Sequence, residues 1–132
     1  MRHGAILLAG LGLIALTGCS SGPGMYDVSG NVTFNGQPIP KGHIVFWPAD
    51  HSSAPIGAPI QDGAYRLKAR AGKMRVEVHA DRVKANAKIS TAMGAVDRED
   101  YIPPRYNAQT VLGAEVTAGG ENQFNFSLTA KP

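Results

Sequence analysis

The feature that most constrains this chain is a two-residue rhythm of apolar side chains, repeated in short runs. Val28, Gly30, Val32 and Phe34 alternate with Asp27, Ser29, Asn31 and Thr33, and Met74, Val76, Val78 and Ala80 alternate with Lys73, Arg75, Glu77 and His79. A period of two is the signature of half-buried strands, whereas a helix repeats at 3.6. Turn residues separate the runs. Asn35-Gly36, Asp62-Gly63, Ala71-Gly72 and Gly119-Gly120 interrupt them, and Pro38, Pro40 and Pro48 keep their neighbours out of regular ladders. Ile44-Val45-Phe46-Trp47 is the densest β-forming run. Further strands are expected at Gly57–Gln61, Tyr65–Leu67, Val111–Val116 and Phe124–Leu128.

No stretch beyond the N-terminus carries an apolar stripe wide enough for a helix that could cover a sheet. One sheet alone would leave an apolar face in water. The economical solution is two sheets packed face to face, so the fold class expected is all-β, a small Ig-like or transthyretin-like β-sandwich of about seven strands. A small barrel is the rival. Residues 81–100 lose the rhythm and are expected to form one long loop. The expected core is Phe34, Ile44, Phe46, Leu67, Val76, Val78, Val111, Val116, Phe126 and Leu128.

The N-terminus reads differently. Arg2 and His3 precede an uncharged apolar run from Ala5 to Leu16, which ends in Leu16-Thr17-Gly18-Cys19. That run is shorter than the roughly 20 residues a membrane-spanning helix needs. A basic start, a short apolar stretch and small residues before a cut describe an export signal. Leu16 to Cys19 resembles the lipobox of bacterial lipoproteins, which implies a signal peptide at 1–18 and lipidation of Cys19. It further implies attachment to the bacterial cell envelope, with the outer membrane facing the periplasm favoured because Ser20, not aspartate, follows Cys19. Residues 19–25 then form a flexible tether and 26–130 the domain. A plain secreted protein is the alternative reading. Cys19 is the single cysteine, so no disulfide can form within the chain and the domain must rest on its core. The formal charge is +3, and loss of Arg2 with the signal lowers it by one. So small an excess gives no argument for nucleic acid.

Within the domain, Val28 to Ile39 with Gly30 and Asn35-Gly36-Gln37-Pro38-Ile39, then Gly42-His43-Ile44-Val45-Phe46, Asp62-Gly63-Ala64-Tyr65-Arg66-Leu67 and Gly72 to Val78, together resemble carboxypeptidase regulatory-like domains of the transthyretin-like group. The ending, Pro104-Arg105-Tyr106-Asn107 through Asn122-Gln123-Phe124-Asn125-Phe126-Ser127-Leu128, resembles small lipoproteins abundant in Planctomycetes. The resemblance implies a lipid-anchored sandwich and names no activity, since this fold group hosts many functions.

Candidate chemistry is sparse. His43, His51 and His79 could meet Asp50 or Asp81 at a metal, but their spacing fits no compact zinc pattern and solvent-facing histidines are the plainer reading. Ser52-Ser53 beside His51 supplies no nucleophile geometry. Asp97, Glu99 and Asp100 read as solubility residues rather than a catalytic pair. No catalytic, cofactor-binding or metal residue is assigned, and the chain is expected not to be an enzyme. Arg66, Lys68, Lys73 and Arg75 cluster around one turn and suggest a surface for anionic lipid, acidic glycan or an acidic partner, against the reading of an ordinary solvated face. Arg105, Tyr106 and Asn107 are expected to act as a structural clasp that returns the 81–100 excursion to the sheet. The function expected is a lipid-anchored interaction or structural module with an envelope protein as partner. A glycan- or small-ligand-binding module is the alternative, with Trp47 and Tyr65 contributing if exposed, and a domain accessory to a hydrolase is more remote.

Overall fold

The computed structural model describes residues 24–86, 89–90 and 95–132. The lipidation position Cys19, the signal at 1–18 and most of the tether lie outside the described residues. Thirteen strands occur among those described: β1 Met25–Phe34, β2 Gln37–Pro38, β3 Lys41–Pro48, β4 Ile56–Gln61, β5 Ala64–Arg70, β6 Gly72–His79, β7 Asp81–Val83, β8 Ile89–Ser90, β9 Ala95–Val96, β10 Arg98–Asp100, β11 Gly113–Val116, β12 Asn122–Gln123 and β13 Phe126–Leu128. The fold is all-β, with a 3-10 turn at Pro104–Tyr106 as the only helical element among the described residues. The first strand begins at Met25, one residue inside the span expected as tether.

The main sheet runs β11-β6-β3-β4-β5-β1-β12, with β13 and β2 also on β1. Its ladders are antiparallel except where β12 and β13 join β1 in parallel. β4 and β5 share only the pair Gln61↔Ala64 beside the Asp62-Gly63 turn. There the sheet curls over, so β11-β6-β3-β4 makes one wall and β5-β1-β12/β13 the other. Apolar side chains meet between the walls. Phe46 on β3 lies 6.0 Å from Tyr65 on β5 and 6.5 Å from Phe124, centroid to centroid.

Two hairpin turns carry the left-handed backbone that such tight loops need. Asn35-Gly36 has φ of 51° and 79°, and Asp62-Gly63 has the same pair of values. Positive φ at both central residues marks a type I′ turn, whose twist matches that of the strands. The two turns are tied together at one end of the molecule, because Val32 N–H donates to the Gly63 carbonyl at 2.7 Å and Gly63 N–H to Ile39 at 2.8 Å.

Among the described glycines, the least room for a side chain is at Gly30. β1 pairs with β12 at Val28–Ser29 and with β13 at Val32–Phe34, leaving residues 124–125 out of the ladder. Phe124 N–H donates to the Ser29 carbonyl at 2.9 Å, and the Asn125 side-chain oxygen accepts from Asn31 N–H at 2.9 Å, replacing a backbone bond. The Phe124 carbonyl turns inward over Gly30 and accepts from the Tyr65 hydroxyl at 2.7 Å. The last strand expected as continuous from Phe124 is therefore split, because one of its carbonyls is taken by a side chain of the opposite partner strand.

The core contains most of the residues expected, with Ile44, Phe46, Leu67, Val76, Val78, Val116, Phe126 and Leu128 all buried. Val111 is 81 % exposed. Leu112, Ala114 and Val116 point inward along this edge and Val111 outward. Residues an odd number apart on one strand face opposite sides, so Val111 and Val116 cannot share a core. Phe34 is half-buried and meets Tyr101 edge-on at 5.3 Å. Val28, Val32, Ile39, Ile60, Tyr65, Met74, Ile102 and Tyr106 complete the core.

The described residues of the 81–100 segment form a paired ribbon rather than one loop, with 87–88 and 91–94 outside the described residues. β7 pairs β10 in antiparallel register, Lys84 N–H extends that ladder to the Asp97 carbonyl at 3.0 Å, and β8 pairs β9 beyond it. The two pairings differ in register, since Lys84 meets Asp97 but Ile89 meets Val96. β7 and β10 pack neither face on the core, so they show no apolar rhythm. Cross-strand charge pairs stand in its place: Arg82–Glu99 at 3.0 Å, and Arg98 bonded to Asp81.

Two outcomes follow from this packing. Gly30→Ala would set a Cβ 1.8 Å from the Phe124 oxygen; it should cost at least about 3 kcal/mol in urea denaturation, above the ordinary range for overpacking, because backbone must move. Burial pushes the Tyr65 phenol above its usual 10.0. The native fold thus keeps Tyr65 neutral while the unfolded chain ionises near pH 10, so stability from this group is complete below pH 10 and declines as pH rises above it. Absorbance of tyrosinate against far-UV circular dichroism from pH 8 to 12 should show Tyr65 ionising only as the strands melt; ionisation of all tyrosines before any loss of structure would contradict this.

Candidate functional site

The four basic residues expected to share a surface lie on two walls. Arg66 and Lys68 face outward from β5, and Lys73 and Arg75 face outward from β6. β3 and β4 stand between these strands in the sheet, because Ala71 carries the chain from one wall to the other instead of closing a hairpin. Their surroundings also differ. Lys68 reaches Asp27 across the ladder at 3.5 Å, and Arg75 lies 3.5 Å from Glu77 and 5.7 Å from the Trp47 ring. Arg66 and Lys73 have no carboxylate partner among the described residues.

On the outer face of the β3–β6 wall, polar side chains converge on Glu77. Its carboxylate accepts from the Trp47 indole N–H at 2.8 Å, faces Arg75 at 3.5 Å and faces His79 Nε2 at 3.7 Å. The other ring nitrogen of His79 lies 3.5 Å from Asp100 at the root of the ribbon. The Glu77 side chain is only 13 % exposed, so its charge is satisfied by fixed partners more than by water. Such a saturated carboxylate orients its neighbours. Trp47 is therefore a half-buried, hydrogen-bonded residue, and Tyr65 is buried with its hydroxyl committed to Phe124; neither presents an open ring for stacking.

A shallow cleft between this wall and the ribbon is lined by Lys41, His43, His79, Asp81 and Asp100. His43 and His79 stand directly opposite each other in register. Their rings part, however: His43 lies over Gly57 on β4, while His79 turns to Glu77 and Asp100. Among the described residues no three His, Cys, Asp or Glu side chains converge as metal ligands. Asp81 is held below the usual carboxylate range by its hydrogen bond from Arg98. In the β3–β4 loop the Asp50 side chain accepts from Ser52 N–H at 3.0 Å, and the bonds from Ser52 hold that carboxyl low. His51 sits between them with φ of 58°, exposed. That arrangement is a turn.

Arg105, Tyr106 and Asn107 are brought together by the 3-10 turn that follows Pro103-Pro104. Arg105 donates to the carbonyl of Thr129 and to that of Lys131 at 2.7 Å, with its guanidinium 4.6 Å from the Tyr106 ring. The Tyr106 hydroxyl accepts from Thr129 N–H at 3.2 Å. Asn107 is buried and donates to Ile102 at 3.2 Å and Val78 at 3.5 Å, while accepting from Ala108 N–H at 2.7 Å. Thr110 adds a bond to the Val76 carbonyl at 2.5 Å. The segment after the ribbon is thus fastened to β6 on one side and to the chain after β13 on the other. No family model matches the chain, and no curated protein or solved structure matches it at a significant level.

Asn107→Ala should cost about 1–3 kcal/mol, since it strands two buried carbonyls and one amide. Arg105→Ala removes exposed bonds and should cost about 1 kcal/mol or less. Urea midpoints of the two variants, compared with the parent, check the order; equal losses would mean that the bonds to the chain terminus matter as much as the buried amide.

Proposed function

We propose that the protein is a non-enzymatic, lipid-anchored module of the bacterial cell envelope that presents its ribbon to a protein partner. The anchor rests on sequence: the basic start, the apolar run and Leu16-Thr17-Gly18-Cys19. Acyl chains at Cys19 would hold the protein firmly, because each buried CH₂ contributes about 0.8 kcal/mol and two or more chains resist release. The likeness of the domain to carboxypeptidase regulatory-like modules and to planctomycete lipoproteins fits this reading.

The observation that carries it is the polarity of the sandwich. Met25, the strand residue nearest Cys19, pairs with Arg70 at one end of the β1–β5 ladder. β6 starts at that end and runs the other way to His79, where the ribbon leaves. The ribbon root sits at the far end of β1, where Tyr101 meets Phe34. Ten residues of extended β1 span about 30 Å, so Met25 and the ribbon root occupy opposite ends. A bilayer at Cys19 would leave the ribbon pointing away from it. Val83 and Val96 on the ribbon are 48 % and 37 % exposed, an apolar pair outside the core and available to a partner. Loops and ribbons on a rigid sandwich are the elements that commonly carry binding.

Photo-crosslinking in cells tests this. A photoreactive residue in place of Val83 or Val96 should capture a discrete envelope protein, and the same probe at Ser53, near the anchor end, should not. Capture should fall in a Cys19→Ser form. Intact-mass measurement of the membrane-extracted protein reports acylation separately. A ribbon probe that captures nothing in a correctly acylated protein rejects the partner reading and leaves the anchor standing; an unacylated chain rejects the anchor.

A further inference from the structure

Two rows of outward side chains run at right angles to the strands, one across β12, β1 and β5 and one across β1, β5 and the corner with β4. Ser29 stands opposite Gln123 on one side and Arg66 on the other, giving the row Gln123, Ser29, Arg66. Ala64 stands opposite both Asn31 and Gln61, giving the row Asn31, Ala64, Gln61. Residues directly opposite in a ladder share a face, neighbouring strands lie about 4.8 Å apart, and the two rows are about 7 Å apart along the strands. An open trough follows these rows and takes in Pro59 of β4 at the corner of the sheet.

Its chemistry is selective. Arg66 is the one charged side chain lining it. Lys68, in the next row, is engaged by Asp27 at 3.5 Å, whereas Arg66 faces a serine and has no carboxylate partner among the described residues. The other polar members are three carboxamides, the Ser29 hydroxyl and the Tyr65 hydroxyl, the last committed to Phe124; carboxamide and serine groups donate and accept alike. That pairing of capacities matches sugar hydroxyls, which also do both. A guanidinium adds a planar fork suited to a carboxylate. Ala64 and Ser29 are small and keep the floor low.

We propose that this trough is a binding site for an acidic saccharide, with Arg66 receiving a uronate carboxylate and Gln123, Ser29, Asn31 and Gln61 bonding ring hydroxyls. The direction of the trough separates this ligand from an acidic peptide. A peptide that binds by strand addition runs along a free edge and bonds backbone to backbone. Here β1 and β5 are already paired with each other beneath the trough, so a peptide crossing it would meet side chains only. The apolar side chains of its lining are Pro59, Ala64 and the buried Tyr65, a small set for a peptide anchor residue. The site is independent of the ribbon and of acylation at Cys19.

Calorimetric titration of the membrane-extracted protein in detergent tests the site with three probes: tetragalacturonate, a neutral galactose tetrasaccharide and tetraglutamate. Saturable binding of tetragalacturonate is expected, with the neutral sugar and the peptide each at least about tenfold weaker. Arg66→Gln should weaken tetragalacturonate about tenfold, Arg66→Lys by less, and Lys68→Gln by under about twofold. Arg66 is exposed, and an unchanged urea midpoint shows that its variants remain folded. Equal affinity for the neutral sugar, equal or tighter binding of tetraglutamate, no binding of tetragalacturonate, or an equal loss in Lys68→Gln would each overturn the proposal.

Discussion

The contact on which the architecture depends is the carbonyl of Phe124 pressed over Gly30 and held by the Tyr65 hydroxyl. β1 must pair with β5 on one side and with two separate short strands on the other. A continuous ladder of residues 122–128 would keep that carbonyl within the sheet. Turned inward, it would be a buried acceptor without a partner, at a cost of about 1–3 kcal/mol. Tyr65 supplies the donor from β5, and its ring packs against Phe46 across the core. One hydroxyl thus links three strands of one wall while its ring joins that wall to the other. A side chain at residue 30 would displace the carbonyl and uncouple both functions at once.

The second wall is organised around β6, the strand through which the ribbon, the clasp and the edge are all connected. Its carbonyls at Val76 and Val78 receive Thr110 and Asn107 from the segment that follows the ribbon. Its outward Glu77 and His79 reach Trp47 on β3 and Asp100 at the ribbon root. Both ends of the ribbon are therefore fixed to the same strand, one by chain continuity and one by side-chain bonds. This explains how an excursion of twenty residues, whose β7 and β10 strands lie outside the core, keeps a defined exit direction. Its interior is held by exposed charge pairs, which contribute little individually; its position depends on the buried groups at its base.

Much of this fold could be read in the sequence because burial on one face imposes a period of two, and β1, β3 and β6 all display it. Asn35-Gly36 and Asp62-Gly63 marked their hairpins because only certain residues tolerate positive φ at both positions. What could not be read were features without a periodic trace. The ribbon strands bury neither face, so Asp81-Arg82-Val83 and Arg98-Glu99-Asp100 look like any charged loop until their cross-strand pairing is known. The basic residues around Ala71 look contiguous along the chain, yet the connection there changes walls. The trough was equally hidden: Gln123, Ser29 and Arg66 are far apart in sequence, and only the pairing of β1 with both β12 and β5 aligns them. Arg105, Tyr106 and Asn107 were conspicuous as a local cluster, but their partners Thr129, Lys131, Ile102 and Val78 carry no motif that names them.

The arrangement of these parts along the molecular axis has a consequence for how a lipid anchor would act. With Cys19 acylated, the six steps from it to Met25 reach at most about 20 Å when fully extended, less than the length of the sandwich itself. The height of the ribbon above a bilayer would then be set mainly by the rigid β1–β5–β6 framework and only secondarily by the tether. Ser29 and Arg66 lie near the middle of that framework, on its flank. A saccharide in the trough would bind beside the sandwich, while a protein at Val83 and Val96 would bind beyond its end. The two surfaces do not overlap, so neither ligand need displace the other. With both proposed ligands bound, the protein partner would lie farther from the membrane than the acidic polymer.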